Sequence, residues 1–542
     1  MEEENPTRDD LEKMPFSTVI TMLLQAFDTI KQMSKTIDNL TEQVRIMNQR
    51  SYGRKTEAIN NSHFKQEALD LGFNEAEALS DTNEPEPSLG EAAPDEKDGE
   101  KGKGKHKQKG DKEAKLKKIT NHRDVMVELS EEELNARFGE GKWKKIGEEP
   151  IWKLEHHPAS FEAVTYHICI YAKNDNQTIV RADKPVEMFQ KSICTPSLLA
   201  SIIFAKYVNA VPLNRQEKVY RDNDVFITRA TMANWVIKAA DEYLSYLYEA
   251  MKAEIMKNSL LHADETPVTV VRDGRAAGAE SFMWVYRTNA KLTKKHLVMF
   301  QYCKTRGYQN PESFLKDFKG TLVTDAYGAY HKLEKTYPEK FKVAGCWVHA
   351  KRKFAEIVKS AKKDPTGSLA DTAVKKIQLI YHAEHRIEDL PPEKHLKMRK
   401  ELVKDLVDDF FTWVKEVRDT TDSQSATGQG FTYVLNQEKY LRAFLDNPDI
   451  PLDNNTAERA IRPVTLGRKN WVIIDTIKGA DASAMIYSIV ETAKANNLRT
   501  YDYLNYLLEE LPKCMVGTKI EIPDRLLPWS DELPKSIRNA LF

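Results

Sequence analysis

Three acidic residues stand where chain folding alone gives a carboxylate little reason to be. Asp264 closely follows the apolar pair Leu260–Leu261 and precedes Glu265, Thr266 and Pro267. Asp325 ends Leu322–Val323–Thr324 and precedes Ala326–Tyr327–Gly328. Glu458 lies in DNNTAERAIRP, where Asn454 or Asn455 is placed to cap a short helix that Pro463 ends or kinks. Two strand-end carboxylates and one helix carboxylate, brought together, make a site for two Mg2+ (or Mn2+) ions, each completed by water and substrate phosphate. Such a site activates an attacking oxygen and stabilises a leaving one during in-line displacement at phosphorus. Plainer readings exist for each residue alone. A strand-end Asp is often a turn residue, and Glu458 is spaced i,i+4 from Arg462, an exposed pair worth roughly 0.3–0.5 kcal/mol. Glu265 is expected to point away from the metals, because side chains alternate along an extended segment.

The elements that must position these residues are legible as patterns. LLHADETPVTVV, SFMWVYRT and HLVMFQYC read as three consecutive strands, the first two joined by the Gly-containing turn DGRAAG. NPESFLKDF reads as a short helix capped by Asn310, GTLVTDAYGAY as a buried strand ending in a carboxylate, and FKVAGCW as another short strand. HAKRKFAEIVKSA opens a helical stretch that continues to about residue 445. Three strands followed by alternating helices and strands is the order of an α/β RNase H-like core, a mixed sheet with flanking helices. The core is expected over 259–350 and 451–482, with a large helical insertion at 351–450 and a C-terminal helical segment at 483–542. Upstream, residues 186–258 read as a helical, DNA-binding-like segment. Within it Thr228–Ala239 has the polar start and Trp235 anchor of a helix-turn-helix, a pattern that core packing also produces. Residues 120–185 alternate as a small β-rich module.

The first 119 residues differ in kind. Phe16, Leu23, Ile30, Ile37 and Val44 form one heptad series, and Val19, Ala26, Met33, Leu40 and Met47 the other, which predicts a coiled coil within residues 1–60 and hence a homo-oligomer. Residues 61–119 read as a disordered linker. Ten acidic residues against one lysine between Glu75 and Glu100 give way to nine lysines between Lys101 and Lys118. The overall balance of 81 basic and 82 acidic residues therefore hides a segregation of charge, and near-neutrality does not exclude a nucleic-acid partner. The lysines suit sequence-independent phosphate contact about as well as they suit a plain linker. Five scattered cysteines without CxxC spacing read as a reduced, cytoplasmic protein, and no apolar run or acidic N-terminus fits a membrane span or a secretory signal.

LHADETPV, TDAYGAY, CWVHAKRKF, DNNTAERAIRPVTLGRKNW and YSIVETAKANNLRTYDYL, in this order, resemble the insertion-sequence-66 family of bacterial DDE transposases. The likeness covers about 190–510, and also the N-terminal coil with RSYGRKTE. It implies that Asp264, Asp325 and Glu458 are a metal-binding catalytic triad. DNA, as element ends and target, would be the substrate, in a nucleoid-associated bacterial protein working beside small accessory proteins. Cys346 and His349 match a C-x-x-H signature that some DDE transposases carry, an incomplete zinc site. Arg459, Arg462, Arg468, Lys469 and Asn470, with His349, are candidate DNA contacts, since guanidinium forks suit phosphate. One departure is that the 120–185 module lacks the two CxxC knuckles many members carry. Cys169 with His156, His157 and His167 has no zinc-ligand spacing, so a zinc-free module is expected. Two other readings stay open: an RNase H-like nuclease without strand transfer, and a non-enzymatic DNA-binding protein derived from a transposase.

Overall fold

A computed structural model describes residues 15–52 and 186–539, apart from 277, 362–363 and 517–518, with scattered positions between 132 and 181. The linker at 61–119, its Lys101–Lys118 run and most of the 120–185 module lie outside the described residues. Of that module a short antiparallel ladder, Ile170–Ala172 with Ile179–Arg181, is described. Among the described residues no helix is long and apolar enough to cross a membrane.

The centre is a six-stranded mixed sheet. Its strands are β1 (Leu260–Arg272), β2 (Glu280–Thr288), β3 (Val298–Cys303), β4 (Gly320–Thr324), β5 (Phe341–Gly345) and β6 (Ile474–Thr476). The order is β3-β2-β1-β4-β5, with β6 pairing the far end of β1. β1, β2 and β3 run antiparallel as a meander, while β4 and β5 join parallel to β1. Parallel strands are buried on both faces and need unbroken apolar runs, and alternate side chains here enter different cores. Leu261, Leu322 and Val343 pack into a cluster with helices Pro196–Tyr207, Arg229–Ala239, Ser245–Ile255 and Ile477–Ala495. Their neighbours Leu260, Val323 and Ala344 pack into a second cluster, built on helix Trp347–Ser360 and the helices between residues 369 and 445.

Helix Ile477–Ala495 covers the β3 edge with polar side chains. The Phe300 N–H donates to Ser488 Oγ at 2.7 Å, and Val298 N–H to Thr492 Oγ1 at 3.0 Å. An edge strand's open donors are thereby satisfied. The Arg229–Ala239 helix is capped by Thr228, whose hydroxyl accepts from Thr231 N, and turns Met232, Val236 and Ala239 into the core. Helix Phe16–Tyr52 lies against the insertion helices through one face while its heptad stripe stays open, with Ile30 60 % and Ile37 62 % exposed.

Two local expectations are corrected. The Glu458 helix does not end at Pro463 but spans Asn455–Trp471 with that proline inside it. Burial of Ala457, Ala460, Ile461, Val464 and Gly467 along one face outweighs the roughly 3 kcal/mol that an interior proline costs. Gly467 permits the close approach to the neighbouring helix, since a Cβ there would sit 2.6 Å from Tyr487 Oη and 2.3 Å from the Trp471 ring. Asn310 is not a helix cap; it lies inside Gln309–Phe314, and its amide donates to Thr305 O at 2.7 Å.

Candidate active site

Register places the first two carboxylates. β1 and β4 pair in parallel through Leu260↔Thr321, Leu261↔Leu322 and His262↔Val323. Asp264 and Asp325 each lie two residues beyond the last of these pairs, at the mouth between two neighbouring strands. There β4 ends at Thr324, but β1 continues alongside β2 with Asp264 opposite Val285, so Asp264 lies within its strand and not at a strand end as expected, because the β2 pairing extends beyond it. Asp325 turns back on its own loop, with Oδ1 accepting from Tyr327 N at 2.9 Å. Asp264 Oδ1 accepts from Glu265 N at 2.8 Å.

Glu458 occupies the first turn of its helix, where the N-terminal dipole favours a carboxylate. Its Oε2 lies 3.3 Å from Arg352 Nη2 and its Oε1 3.6 Å from His349 Nδ1. Among the described residues Glu458 makes no ion pair with Arg462; Arg462 Nη2 is buried without a hydrogen-bond partner, as is Glu458 Oε1. The i,i+4 surface-pair reading is therefore not the one realised.

The charges of Asp325 and Glu458 both reach Asp264. Burial pushes the Asp264 carboxyl well above the usual Asp range, and the charges of Glu265, Asp325 and Glu458 push it the same way against the bond from Glu265 N. Glu265, next to Asp264 on β1, is itself held in place. Its side chain is 1 % exposed, and its carboxylate takes Arg306 Nε at 2.9 Å, Arg306 Nη2 at 2.5 Å and the Tyr330 hydroxyl at 3.0 Å. Burial and the Asp325 charge raise it, and Arg306 opposes them. It is an engaged buried acid, not an idle neighbour. The Arg306 guanidinium also stacks 3.9 Å over the Tyr327 ring.

Cys346 Sγ, a ring nitrogen of His349 and an oxygen of Glu458 lie within 4.8 Å of one another. Burial pushes the Cys346 thiol up to about 12. His349 is pushed down by burial, with Glu458 opposing. The remaining candidates are spread along the Glu458 helix. Arg459 and Lys469 are exposed, Arg468 donates to the Pro267 carbonyl, and Asn470 donates to Ala210 O at 2.9 Å.

Sequence reasoning missed Arg352, Arg306, His262 and the way Asn454 is used. Asn454 begins the helix but makes no side-chain cap bond. Its amide instead reaches β1, with Nδ2 donating to Ala263 O at 2.8 Å and Oδ1 lying 2.9 Å from His262 Nδ1. For Arg352 a signal existed: His349 and Arg352 are three apart, on one helix face.

Two family models match the chain, "Transposase IS66 family" over residues 191–482 and "IS66 C-terminal element" over 488–529. Three proteins of Sinorhizobium fredii are similar along most of their lengths. Uncharacterized protein y4qI is 26 % identical over 513 residues, covering 92 % of this chain and 90 % of its own. Uncharacterized protein y4hP is 27 % identical over 407 residues, 72 % of each chain. Uncharacterized protein y4jD is 24 % identical over 514 residues, 92 % of this chain and 96 % of its own.

Proposed function

This chain belongs to the IS66 transposase family, and we propose that it cuts DNA at the ends of a mobile element and joins the freed ends to target DNA at the Asp264–Asp325–Glu458 site. The observation that carries this reading is the convergence of the triad. Matched register sets Asp264 beside Asp325, and Asp264 feels the charge of Glu458 from another element. The strand order β3-β2-β1-β4-β5, antiparallel then parallel, supports an RNase H-like core.

Crowded, buried triad carboxylates, of which only Glu458 has an arginine beside it, are what a divalent cation would relieve, and carboxylate oxygens are hard donors suited to Mg2+ or Mn2+. Asp264, Asp325 and Glu458 would hold two such ions. When bound, the ions supply charge neutralisation at the reacting phosphate and a lowered pKa for the attacking oxygen. The protein's own part is to fix the carboxylates on a rigid sheet and helix, so that little reorganises during reaction. In the first step water oxygen bonds to phosphorus and the bond to the element's 3′ oxygen breaks, leaving a 3′-OH. In the second, that 3′-OH attacks a target phosphodiester, whose own 3′ oxygen leaves. No protein nucleophile is required. Arg459, Arg462, Arg468, Lys469 and His349 would be phosphate contacts, and the Phe16–Tyr52 helix would pair two chains so that two ends are held together.

The test uses full-length protein, DNA bearing the terminal sequences that flank the gene, a target plasmid and Mg2+. Cleaved ends with free 3′-OH and joined products are expected. Asp264→Asn, Asp325→Asn and Glu458→Gln should each lower both steps at least about a hundredfold while DNA affinity persists. Cleavage without joining would make the protein a nuclease, and binding without cleavage a DNA-binding protein. Full activity in Glu458→Gln would remove the triad assignment.

A further inference from the structure

Asn454 lies where three elements carrying site residues meet, and it is 1 % exposed. Toward β1 its amide makes the two contacts already described, at Ala263 and His262, immediately before Asp264. Since Nδ2 is given to the Ala263 carbonyl, Oδ1 faces His262 as an acceptor, so Nδ1 of His262 carries the hydrogen. His262 is itself 1 % exposed. Toward helix Trp347–Ser360, which carries His349 and Arg352, the Asn454 N–H donates to Cys346 Sγ at 3.2 Å. Toward its own helix, the Asn454 carbonyl accepts from Ala457 N at 3.0 Å and from the N–H of Glu458 itself at 3.1 Å.

We infer that Asn454 is a positioning residue that, through its amide clamp on His262–Ala263 and its bond to the Glu458 N–H, sets the separation of Asp264 and Glu458 for divalent-cation binding. The inference rests on the triad reading above. Neither aspartate nor leucine reproduces the clamp. Aspartate offers an acceptor where Ala263 presents a carbonyl, and leucine fills the volume but makes neither bond. Buried groups left unpaired would let the helix start shift against β1. Partners standing behind metal ligands typically affect metal affinity about 10–100-fold, and Asn454 stands behind two ligands at once.

The experiment measures Mn2+ binding to the full-length, DNA-free chain by electron paramagnetic resonance, and the Mn2+ concentration for half-maximal cleavage. The variants are Asn454→Leu, His262→Leu and His262→Asn, with Asp264→Asn and Glu458→Gln as references. Asn454→Leu and His262→Leu are expected to weaken Mn2+ binding by at least about tenfold at temperatures where circular dichroism shows them folded. His262→Asn, which retains an N–H near the Nδ1 position, is expected to keep the wild-type Mn2+ concentration. If Asn454→Leu does not fold, the His262 pair decides: equal Mn2+ affinity in His262→Leu and His262→Asn overturns the inference. Wild-type Mn2+ binding in folded Asn454→Leu also overturns it, while leaving the triad reading intact if the two references have lost their metal. References that still bind Mn2+ and cleave would instead remove the triad reading itself, and the inference with it.

Discussion

Asp264 combines burial with three neighbouring negative charges, so its proton is held more tightly in the folded chain than in the unfolded one. Stability drawn from that proton is fully present below the ordinary Asp value of 3.8 and is lost as pH rises toward the elevated folded value. Without metal, placing a charge on Asp264 is therefore costly to the fold. Asp264→Asn is expected to raise the melting temperature in chelator at pH 7 and to flatten its dependence on pH above 4. A gain of about 1 kcal/mol would move the midpoint roughly 2–4 °C. Added Mg2+ should stabilise the wild type and leave the variant unchanged. Calorimetry with and without Mg2+ checks this, and a lower midpoint for the metal-free variant would show that Asp264 is paired rather than crowded. At this scale the candidate residues, though not their roles, could be picked out from local sequence. A carboxylate ending an apolar strand is visible locally, and so is Glu458 behind an Asn pair. What Asn454 does was not visible, because its hydrogen-bond partners lie on β1 and before another helix, and a local pattern offers only the capping role that the structure does not use.

Elements of the insertion were legible by their period, but what locks them together was not. Arg399 is 1 % exposed in the helical block. Its guanidinium pairs with Glu384 on helix Leu369–His385 and donates to the carbonyls of Phe444 at 2.6 Å and Asn447 at 2.8 Å. His395 Nε2 lies 2.8 Å from the same Glu384 carboxylate. One side chain thus joins a helix to the turn that leads toward the Glu458 motif. Removing one partner of a buried pair strands the other charge, so Arg399→Ala is expected to cost about 3–5 kcal/mol in denaturant unfolding. Arg399→Lys should recover little, since an ammonium cannot present the planar fork. Arg399→Met combined with Glu384→Leu should recover most of the loss, because no charge is then left buried alone. Equal destabilisation by the double change and by Arg399→Ala would mean that packing, not charge pairing, sets the value of this site. Pro463 shows the opposite limit of local patterns. A proline is a reliable local stop signal, yet the apolar face around it continues for two more turns and packing carries the helix through.

Across the whole molecule, helix Phe16–Tyr52 has two faces with different uses. Lys35 and Asn39 engage Asp422, at 3.4 Å and 2.9 Å, and Glu42 accepts from Ala426 N at 3.1 Å, at the start of helix Ala426–Asn436. Ile46 is buried on the same side. These residues recur every three or four positions and lie opposite the heptad series. Leu23, Ile30, Ile37 and Val44, with Met33, Leu40 and Met47, are all more than half exposed. Among the described residues nothing covers this apolar stripe, while the polar face fixes it relative to the insertion helices. Pairing through the stripe would couple two catalytic cores through docked elements rather than through a loose tether. In a dimer the two substitutions Ile30→Asp and Ile37→Asp alter four side chains, each worth about 1.5–3 kcal/mol when buried. Dimer affinity should then fall by at least about four decades, at about 1.4 kcal/mol per decade. Sedimentation is expected to show a dimer or larger assembly for the wild type and a monomer for the double variant. The melting temperature of the body should stay unchanged, because the stripe contributes nothing to the two buried clusters. Binding of one DNA end should persist while complexes holding two ends disappear. An unchanged sedimenting mass would mean that the assembly forms elsewhere and that the open stripe serves a different partner.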